Sequence, residues 1–249
     1  RLLTKELPVE GISSSDFVYV TSLSKESAYR LPEIVNIANK AGVPVAVNPG
    51  ISQLKSGASS LKEALINGID TLILNDEEAA QLMASLIDTD VKLAKIVSKA
   101  MSKLSGAKKT DNNLVDDLID GVISFGDLSF SLRQFFRQIL DFGVKQVVVT
   151  HGAKGVCVAT KDNLYFHNTP KGVEVVNTLG AGDAFGSGFT RSWYQGESID
   201  KAIVSGMLNS ASVIQCQDAK SGVLSKDNID KQITGFHKRT GTKLMIFKW

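Results

Sequence analysis

Strand-like and helix-like runs alternate along the first 150 residues of this chain, and this alternation constrains the fold more than any other feature. Residues 17–21 are rich in β-branched and aromatic side chains, which predicts a buried strand. Apolar residues then recur at helical spacing over residues 25–41, and residues 43–47 predict the next strand. Because strands joined through helices pair in parallel, this order favours a parallel sheet covered by helices on both faces.

The alternation is predicted to continue and then to change character. Further helices are expected at residues 60–66, 76–86 and 131–142, and further strands at residues 71–74 and 146–150. Three short strand-like runs follow at residues 156–159, 164–167 and 173–176. Turn signals separate these runs, which indicates antiparallel strands at a sheet edge. Helical spacing returns over residues 180–195, 198–215 and 226–233.

Together these elements predict one α/β domain over residues 1–249. Its expected architecture is three layers, α/β/α, with a mainly parallel central sheet and an antiparallel edge. Residues 86–141 include polar stretches that the alternation does not explain. Apolar residues recur there at helical spacing, so we expect an inserted helix followed by a loop; they are Val91, Leu93, Ile96, Val97, Ala100 and Leu104.

Charge and composition exclude several classes of function. The net charge is +2 and the basic residues are spread along the chain, so no nucleic-acid surface is predicted. No run approaches the roughly 18 apolar residues of a membrane helix. Cys157 and Cys216 are too few for a disulfide framework, and the histidines form no zinc-ligand spacing with them. We expect a cytoplasmic protein with a small-molecule ligand and, if it oligomerises, a homodimer.

Residues 176–185, Val-Asn-Thr-Leu-Gly-Ala-Gly-Asp-Ala-Phe, lead from a predicted strand through a turn of small residues into a helix. The first amides of a helix lack intrahelical acceptors and attract anions, and small side chains let a phosphate approach them. Asp183 would then place a carboxylate where it can accept the proton of an attacking hydroxyl. Such a turn also serves plain packing, so the pattern by itself leaves both interpretations open.

The same string resembles the signature Asp-Thr-x-Gly-Ala-Gly-Asp-x-Phe of the ribokinase, or PfkB, family of carbohydrate and nucleoside kinases. The resemblance implies that Asp183 is the catalytic base and that Gly180, Ala181 and Gly182 form an anion hole. It also implies that Thr178 belongs to the nucleotide site, with ATP as co-substrate and Mg²⁺ as cofactor. Family segments follow in order from about residue 17 to residue 233.

Residues 147–155 are similar to the family's strand ending in Thr-x-Gly-x-x-Gly. This similarity implies that Thr150, Gly152 and Gly155 approach the nucleotide phosphates. Asn209 lies where the family tends to place a residue beside the adenine. Without the resemblance, a plain β-turn and a structural asparagine are the favoured interpretations of these residues.

Asn75 and Glu78 follow a predicted strand and resemble the family's Asn-x-x-Glu element. That element organises magnesium and phosphate, usually through water. Acidic residues that open a helix are more commonly partners of the helix dipole, which is the competing interpretation here. The assignment of Asn75 and Glu78 to a metal site therefore rests on the family resemblance.

Two departures from the family pattern affect what the resemblance implies. Asn177 stands where the family usually has Asp, at a position associated with a monovalent cation, so activation by such a cation is in doubt. The chain opens on Arg1 rather than Met, and nothing before residue 17 resembles the family's N-terminal acceptor-binding strand and lid. We expect a preceding segment to hold the acceptor specificity; without one, most of the acceptor site is missing.

We therefore predict an ATP-dependent phosphotransferase that acts on a hydroxyl of a sugar or a related small molecule. A nucleoside kinase of the adenosine type shares the signature and is the alternative within this class. A non-catalytic nucleotide-binding regulator is the alternative outside it. An intact Asp183 argues against the regulator, because a degenerate site has no need of the base.

Overall fold

The computed structural model describes residues 7–55, 57–89, 119, 122–125 and 128–249. The chain divides into two compact units. The first comprises Arg1–Val149 and Ala159–Lys161, and the second comprises Thr150–Val158 and Asp162–Trp249. Residues 90–118, which hold the helix and loop expected within the insertion at 86–141, lie outside the described residues.

The strands in the described residues are β1 (Val18–Val20), β2 (Val45–Val47), β3 (Thr71–Asn75), β4 (Val122–Phe125), β5 (Leu128–Ser131), β6 (Gln146–Thr150), β7 (Val156–Thr160), β8 (Asn163–His167) and β9 (Leu244–Lys248). Seven of them form a mixed sheet, and β4 pairs antiparallel with β5 in a separate ribbon. The mixed sheet with its helices has the predicted three-layer α/β/α architecture.

The helices in the described residues are α1 (Val9–Ser13), α2 (Leu31–Lys40), α3 (Ile51–Leu54), α4 (Ala58–Gly68), α5 (Asp76–Thr89), α6 (Leu132–Asp141), α7 (Ala181–Tyr194), α8 (Ile199–Val213), α9 (Lys226–Ile233) and α10 (Phe236–Thr240). Short 3-10 helices lie at Lys25–Arg30 and Gly152–Lys154. The helices expected at residues 60–66, 131–142 and 226–233 are confirmed within a few residues at each end.

The first unit holds the parallel part of the sheet, with its strands in the order β1, β2, β3 and β6. Asp70, just before β3, joins three of these strands. Its carboxylate accepts a hydrogen bond from the Val45 amide at 2.7 Å and pairs with the Lys145 ammonium at 2.5 Å. Its carbonyl oxygen accepts from the Gln146 amide at 2.9 Å. One polar residue therefore links the starts of β2, β3 and β6.

Helix α6 shows how an amphipathic segment is fixed against the core. Ser131 and Gln134 form a reciprocal capping box, with hydrogen bonds of 3.2 Å and 2.9 Å that satisfy two amides at the helix start. Phe135, Phe136 and Ile139 are fully buried on the same helix. These side chains therefore anchor the apolar face of α6 in the core.

The second unit contains the antiparallel edge, but one of its strands is not the one predicted. Residues 173–176 are not a strand: Val175 and Val176 are exposed, and the Val176 amide donates to the Ile214 carbonyl oxygen at 2.8 Å. The edge position is taken by β9, which pairs antiparallel with β8 from Asn163 opposite Lys248 to His167 opposite Leu244. The strand propensity of residues 173–176 was overridden because that segment leads directly into the turn before α7.

Helices long and apolar enough to span a membrane are absent from the part of the chain that the structure describes.

Candidate functional site

The turn before α7 is built by its own residues. The Asn177 side-chain oxygen accepts a hydrogen bond from the Leu179 amide at 2.9 Å, and the Thr178 carbonyl oxygen accepts from the Ala181 amide at 3.2 Å. Gly180 is the N-cap residue of α7 and has a φ of 80°, a left-handed conformation that favours glycine. A Cβ atom at this position would lie only 2.6 Å from the Ala219 Cβ atom. Glycine is thus required at residue 180 by backbone geometry and by packing.

The amides that follow Gly180 are the candidate anion-binding groups of this turn. The first regular bond of α7 runs from the Ala184 amide to the Gly180 carbonyl oxygen at 2.9 Å. Within the described residues, the amides of Gly182 and Asp183 have no hydrogen-bond acceptor. Nothing lies within 4 Å of where a Cβ atom of Gly182 would stand. Two donors at the positive end of a 14-residue helix therefore face open space, an arrangement that fits a phosphate group.

Asp183 completes the turn. Its side chain is exposed, and it makes no hydrogen bond or ion pair with any residue in the described part of the chain. Because it lies in the first turn of α7, the carboxylate is beside the open amides. A general base needs an accessible carboxylate within reach of its proton donor, and this side chain meets the first of those conditions.

Asn209 holds α7 in place from the neighbouring helix α8. Its side chain is buried, and its amide nitrogen donates to the Ala184 carbonyl oxygen at 2.7 Å and to the Ser187 hydroxyl at 3.2 Å. Its oxygen accepts from the Leu224 amide at 2.9 Å. All of these bonds are to protein groups, which supports a structural role for Asn209. Contact with an adenine stays a prediction.

A loop that sequence reasoning did not single out packs behind the turn. The Asn177 side-chain nitrogen donates to the Gln217 carbonyl oxygen at 2.8 Å, which ties the turn to this loop. The Asp218 carboxylate accepts from the Lys220 and Ser221 amides, both at 2.8 Å, and from the Ser221 hydroxyl at 2.6 Å. These bonds, first among them the one from the Ser221 hydroxyl, lower the pKa of Asp218. The only local signal for this loop in the sequence is that Ser221 follows Asp218 by three residues.

The second glycine-containing loop follows β6. The His151 amide donates to the Gly155 carbonyl oxygen at 2.8 Å and closes a tight turn around Gly152. Gly152 has a φ of 55° and nothing within 4 Å of its Cβ position, so the backbone at this point is open to a ligand. At Gly155 a Cβ atom would collide with the His167 carbonyl oxygen and the Phe166 ring. The structure thus gives Gly155 a packing role. The nucleotide-binding roles of Thr150, Gly152, Gly155 and the exposed Thr178 stay predictions.

Asn75 and Glu78 lie in the first unit, at the end of β3 and the start of α5. Each side chain accepts a hydrogen bond at 2.9 Å from the backbone amide of the other residue. This reciprocal cap fixes both oxygen-bearing groups at the carboxyl end of a parallel strand, the edge at which ligands of α/β sheets usually bind. Carboxylate and amide oxygens are donors that suit Mg²⁺. The metal-binding role of this pair stays a prediction.

Comparison with known proteins identifies the family. Residues 131–226, which include the whole turn from Asn177 to Asp183, match the family model described as pfkB family carbohydrate kinase. Residues 131–226 therefore belong to a pfkB family carbohydrate kinase domain. The predicted family resemblance is therefore confirmed.

Curated relatives of this pfkB domain include sugar kinases. An ATP-dependent ribose-1-phosphate kinase from Halopiger xanaduensis is 27% identical over 199 residues, which is 80% of this chain and 48% of that protein. Fructoselysine 6-kinase from Escherichia coli is 34% identical over 89 residues, which is 36% of this chain and 34% of that protein. The chain thus spans about half the length of the first relative and a third of the second.

Solved structures support the ribokinase fold. Ribokinase from Arabidopsis thaliana, whose structure was determined with ribose and ATP, aligns with a TM-score of 0.61 at 18% identity. The alignment covers 90% of this chain and 57% of the ribokinase chain. At this level of identity the likeness establishes the fold, and the chemistry has to be argued from the site itself.

Proposed function

We propose that this pfkB domain transfers the γ-phosphoryl group of ATP to a hydroxyl group of a sugar or a related small molecule. The observation that carries the proposal is the turn before α7. There an exposed carboxylate lies beside two backbone amides, and none of these groups has a partner in the part of the chain that the structure describes. Membership of the pfkB family and the sugar kinases among the relatives support the same reaction class.

In this proposal the turn supplies both the charge stabilisation and the base. The amides of Gly182 and Asp183 donate hydrogen bonds to the oxygens of the transferring phosphoryl group, where negative charge is concentrated. Asp183 accepts the proton of the acceptor hydroxyl as that oxygen attacks phosphorus, and the bond between phosphorus and the leaving nucleotide oxygen breaks. Gly180 and the bonds of Asn209 hold these groups in a fixed geometry, so little reorganisation accompanies the reaction.

Thr150 and Gly152 are proposed to contact the nucleotide, and Asn75 and Glu78 are proposed to hold the magnesium ion directly or through water. When bound, that ion would neutralise part of the phosphate charge. The open backbone at Gly152 supports the first assignment, and the fixed oxygen donors at the end of β3 support the second.

The choice of acceptor class is supported by the relatives, which are a ribose-1-phosphate kinase and a fructoselysine 6-kinase. Ribose 1-phosphate and fructoselysine are both sugar derivatives that carry a charged substituent. We therefore propose an acceptor among free or substituted sugars, and nucleosides remain the comparison group because nucleoside kinases share the signature of the turn.

The experiment is ATP consumption by the full-length gene product with magnesium and a panel of sugars, sugar phosphates, glycated amino acids and nucleosides. Asp183→Asn removes the base and should cut turnover by about 10²- to 10⁴-fold while ATP affinity changes only a few-fold. Asp227→Asn, which also alters an exposed aspartate in the first turn of a helix, is the control and should leave turnover unchanged.

The outcomes separate the candidate functions. Turnover that depends on one acceptor and is lost in Asp183→Asn supports the kinase and names its substrate. Stimulation by nucleosides alone would replace the sugar with a nucleoside acceptor. ATP binding without acceptor-dependent turnover would contradict the proposal and favour a regulatory nucleotide-binding protein. Equal turnover of the Asp183→Asn variant and the parent would remove Asp183 from the mechanism.

A further inference from the structure

Three side chains that play no part in the proposed phosphoryl transfer meet elsewhere in the second unit. His167 ends β8, Asp200 lies in the first turn of α8, and His237 lies in α10. One potential ligand atom from each residue lies within 4.8 Å of those of the other two. Two imidazoles and a carboxylate are a donor set that occurs at protein zinc sites.

The protonation of His167 follows from its hydrogen bond. Its Nδ1 atom lies 2.8 Å from the Asn168 carbonyl oxygen, and a carbonyl oxygen can only accept, so Nδ1 carries a proton. The ring is fully buried, and an unpaired charge is costly away from water, so the neutral imidazole is favoured. In the neutral ring the Nε2 atom then carries a lone pair and no proton.

That lone pair faces a second electron-rich atom. His167 Nε2 lies 3.7 Å from Asp200 Oδ1, and neither of these buried atoms has a hydrogen-bond partner among the residues that the structure describes. Two buried acceptors that face each other are unfavourable unless a cation or another hydrogen-bond donor lies between them. A second proton on His167 would not satisfy them well, because 3.7 Å is too long for a hydrogen bond.

We propose that His167 Nε2, Asp200 and His237 Nε2 bind a divalent transition-metal ion of the zinc type. Two ligands about 2.0 to 2.1 Å from a tetrahedral zinc ion lie roughly 3.3 Å apart. The 3.7 Å between His167 Nε2 and Asp200 Oδ1 would shorten towards that value on binding, and the 2.8 Å between His237 Nε2 and Asp200 Oδ2 would lengthen. Nitrogen donors favour such an ion over magnesium or calcium. Three protein ligands leave the fourth coordination position for water.

His237 must change its hydrogen bonding to become a ligand, and its surroundings provide for that change. Its Nε2 atom now donates to Asp200 Oδ2 at 2.8 Å, and its Nδ1 atom lies 3.3 Å from the Thr242 hydroxyl oxygen. In the other neutral tautomer Nδ1 donates to Thr242 and Nε2 is free to bind the ion, with no net loss of a proton. Such an outer hydrogen bond is the usual means of orienting a histidine ligand.

An ion could reach the site from solvent, and one of the three ligands is buried inside the unit. The side chains of Asp200 and His237 are 34% and 40% exposed, whereas His167 is enclosed. An ion held by these residues would tie β8, α8 and α10 together. It would also fix the end of β8, where the His167 carbonyl oxygen packs against Gly155 in the loop after β6.

The chain has three histidines, which makes nitrogen-detected imidazole NMR a direct test. Titration of the full chain with zinc chloride alone should shift the Nε2 signals of His167 and His237, saturate at one equivalent and reverse on addition of a chelator. His151, which lies outside the cluster, should keep its signals and serves as the internal control.

Asp200→Asn should raise the zinc dissociation constant by about tenfold or more, because it removes the charged ligand. Asp227→Asn is its matched control, since Asp200 and Asp227 are both the second residue of a helix with a serine N-cap. His237→Gln, at a partly exposed position, provides a second test should Asp200→Asn fail to fold. Unchanged imidazole signals in excess zinc, or unchanged affinity in Asp200→Asn or His237→Gln, would overturn the proposal.

Discussion

Gly182→Ala should raise the stability of the second unit slightly and impair its phosphoryl transfer. An added Cβ atom meets nothing within 4 Å, and Gly182 lies in the first turn of α7 with an ordinary φ, so the folded structure accepts alanine without strain. Alanine in a helix is favoured over glycine by about 0.5 to 1 kcal/mol. For a chain of this size that corresponds to a rise in melting temperature of about 1 to 4 °C.

The same methyl group should damage phosphoryl transfer. It would occupy the open space through which a phosphate approaches the amides of Gly182 and Asp183. Loss of one such donor from a preorganised site typically lowers turnover by about 10²- to 10³-fold. We therefore expect a variant that is slightly more stable and strongly impaired in acceptor-dependent ATP consumption.

Gly180→Ala is the matched comparison two residues earlier. Its φ of 80° costs a residue other than glycine about 1 to 2 kcal/mol, and its new Cβ atom would stand 2.6 Å from that of Ala219. Overpacking adds about 1 kcal/mol or more, so the melting temperature should fall by about 4 °C or more. Calorimetric melting and the kinase assay on both variants check the pair. A destabilised or fully active Gly182→Ala variant would refute the open-amide argument, and an unchanged melting temperature for Gly180→Ala would refute the strain argument.

Two further predictions address the metal and the loop behind the turn. Glu78→Gln keeps an oxygen that can accept a hydrogen bond from the Asn75 amide but loses the negative charge. The magnesium concentration needed for half-maximal activity should therefore rise. Equal magnesium curves for the variant and the parent would count against the metal assignment. Ser221→Ala removes the hydroxyl that most strongly lowers the pKa of Asp218, so carboxyl NMR should show that pKa rising towards its ordinary value. A carboxyl pKa that is lower in the folded than in the unfolded protein stabilises the fold at pH values above the unfolded-state pKa. Asp218 should therefore lose this stabilisation only as the pH falls through its folded-state pKa, in strongly acidic solution. An unshifted pKa in Ser221→Ala would contradict this account.

Local signals in the sequence predicted the turn and the helices well, since the geometry of these elements is set by nearby residues. The hydrogen bonds from Leu179 to Asn177 and from Ala181 to Thr178 span two and three residues. Helix α9 begins after Ser225, whose hydroxyl caps it, and its predicted bounds agree with the structure. The fold class followed from the same kind of local pattern, repeated along the chain.

The antiparallel edge was harder to predict because pairing partners lie far apart in the sequence. Residues 173–176 have strand propensity, yet β8 pairs with β9, which begins 77 residues after β8 ends. Propensity indicates that a segment can be a strand and does not identify its partner. The apolar run at Leu244–Lys248 was visible in the sequence, but only the fold shows that it lies next to β8.

The cluster of His167, Asp200 and His237 has no sequence signature for the same reason. Its members come from a strand and two helices and are separated by 33 and 37 residues. Zinc sites are recognisable in a sequence when short spacings place several ligands on one turn or loop, which is not the case here. The fixed tautomer of His167 and the unpartnered oxygen of Asp200 are features of tertiary structure.

Asp183 gives the clearest reason to prefer catalysis over a regulatory role. The carboxylate has no hydrogen-bond or ion-pair partner in the described residues, so folding gains at most the dipole interaction of an acidic residue at a helix start, about 0.3 to 1 kcal/mol. Asp183→Asn should therefore lower the melting temperature by no more than about 4 °C while it removes most of the turnover. A side chain that contributes so little to stability, beside two open amides, is best explained by the reaction it performs. If the variant instead lost several kcal/mol of stability and kept its turnover, a structural role for Asp183 would be the better explanation.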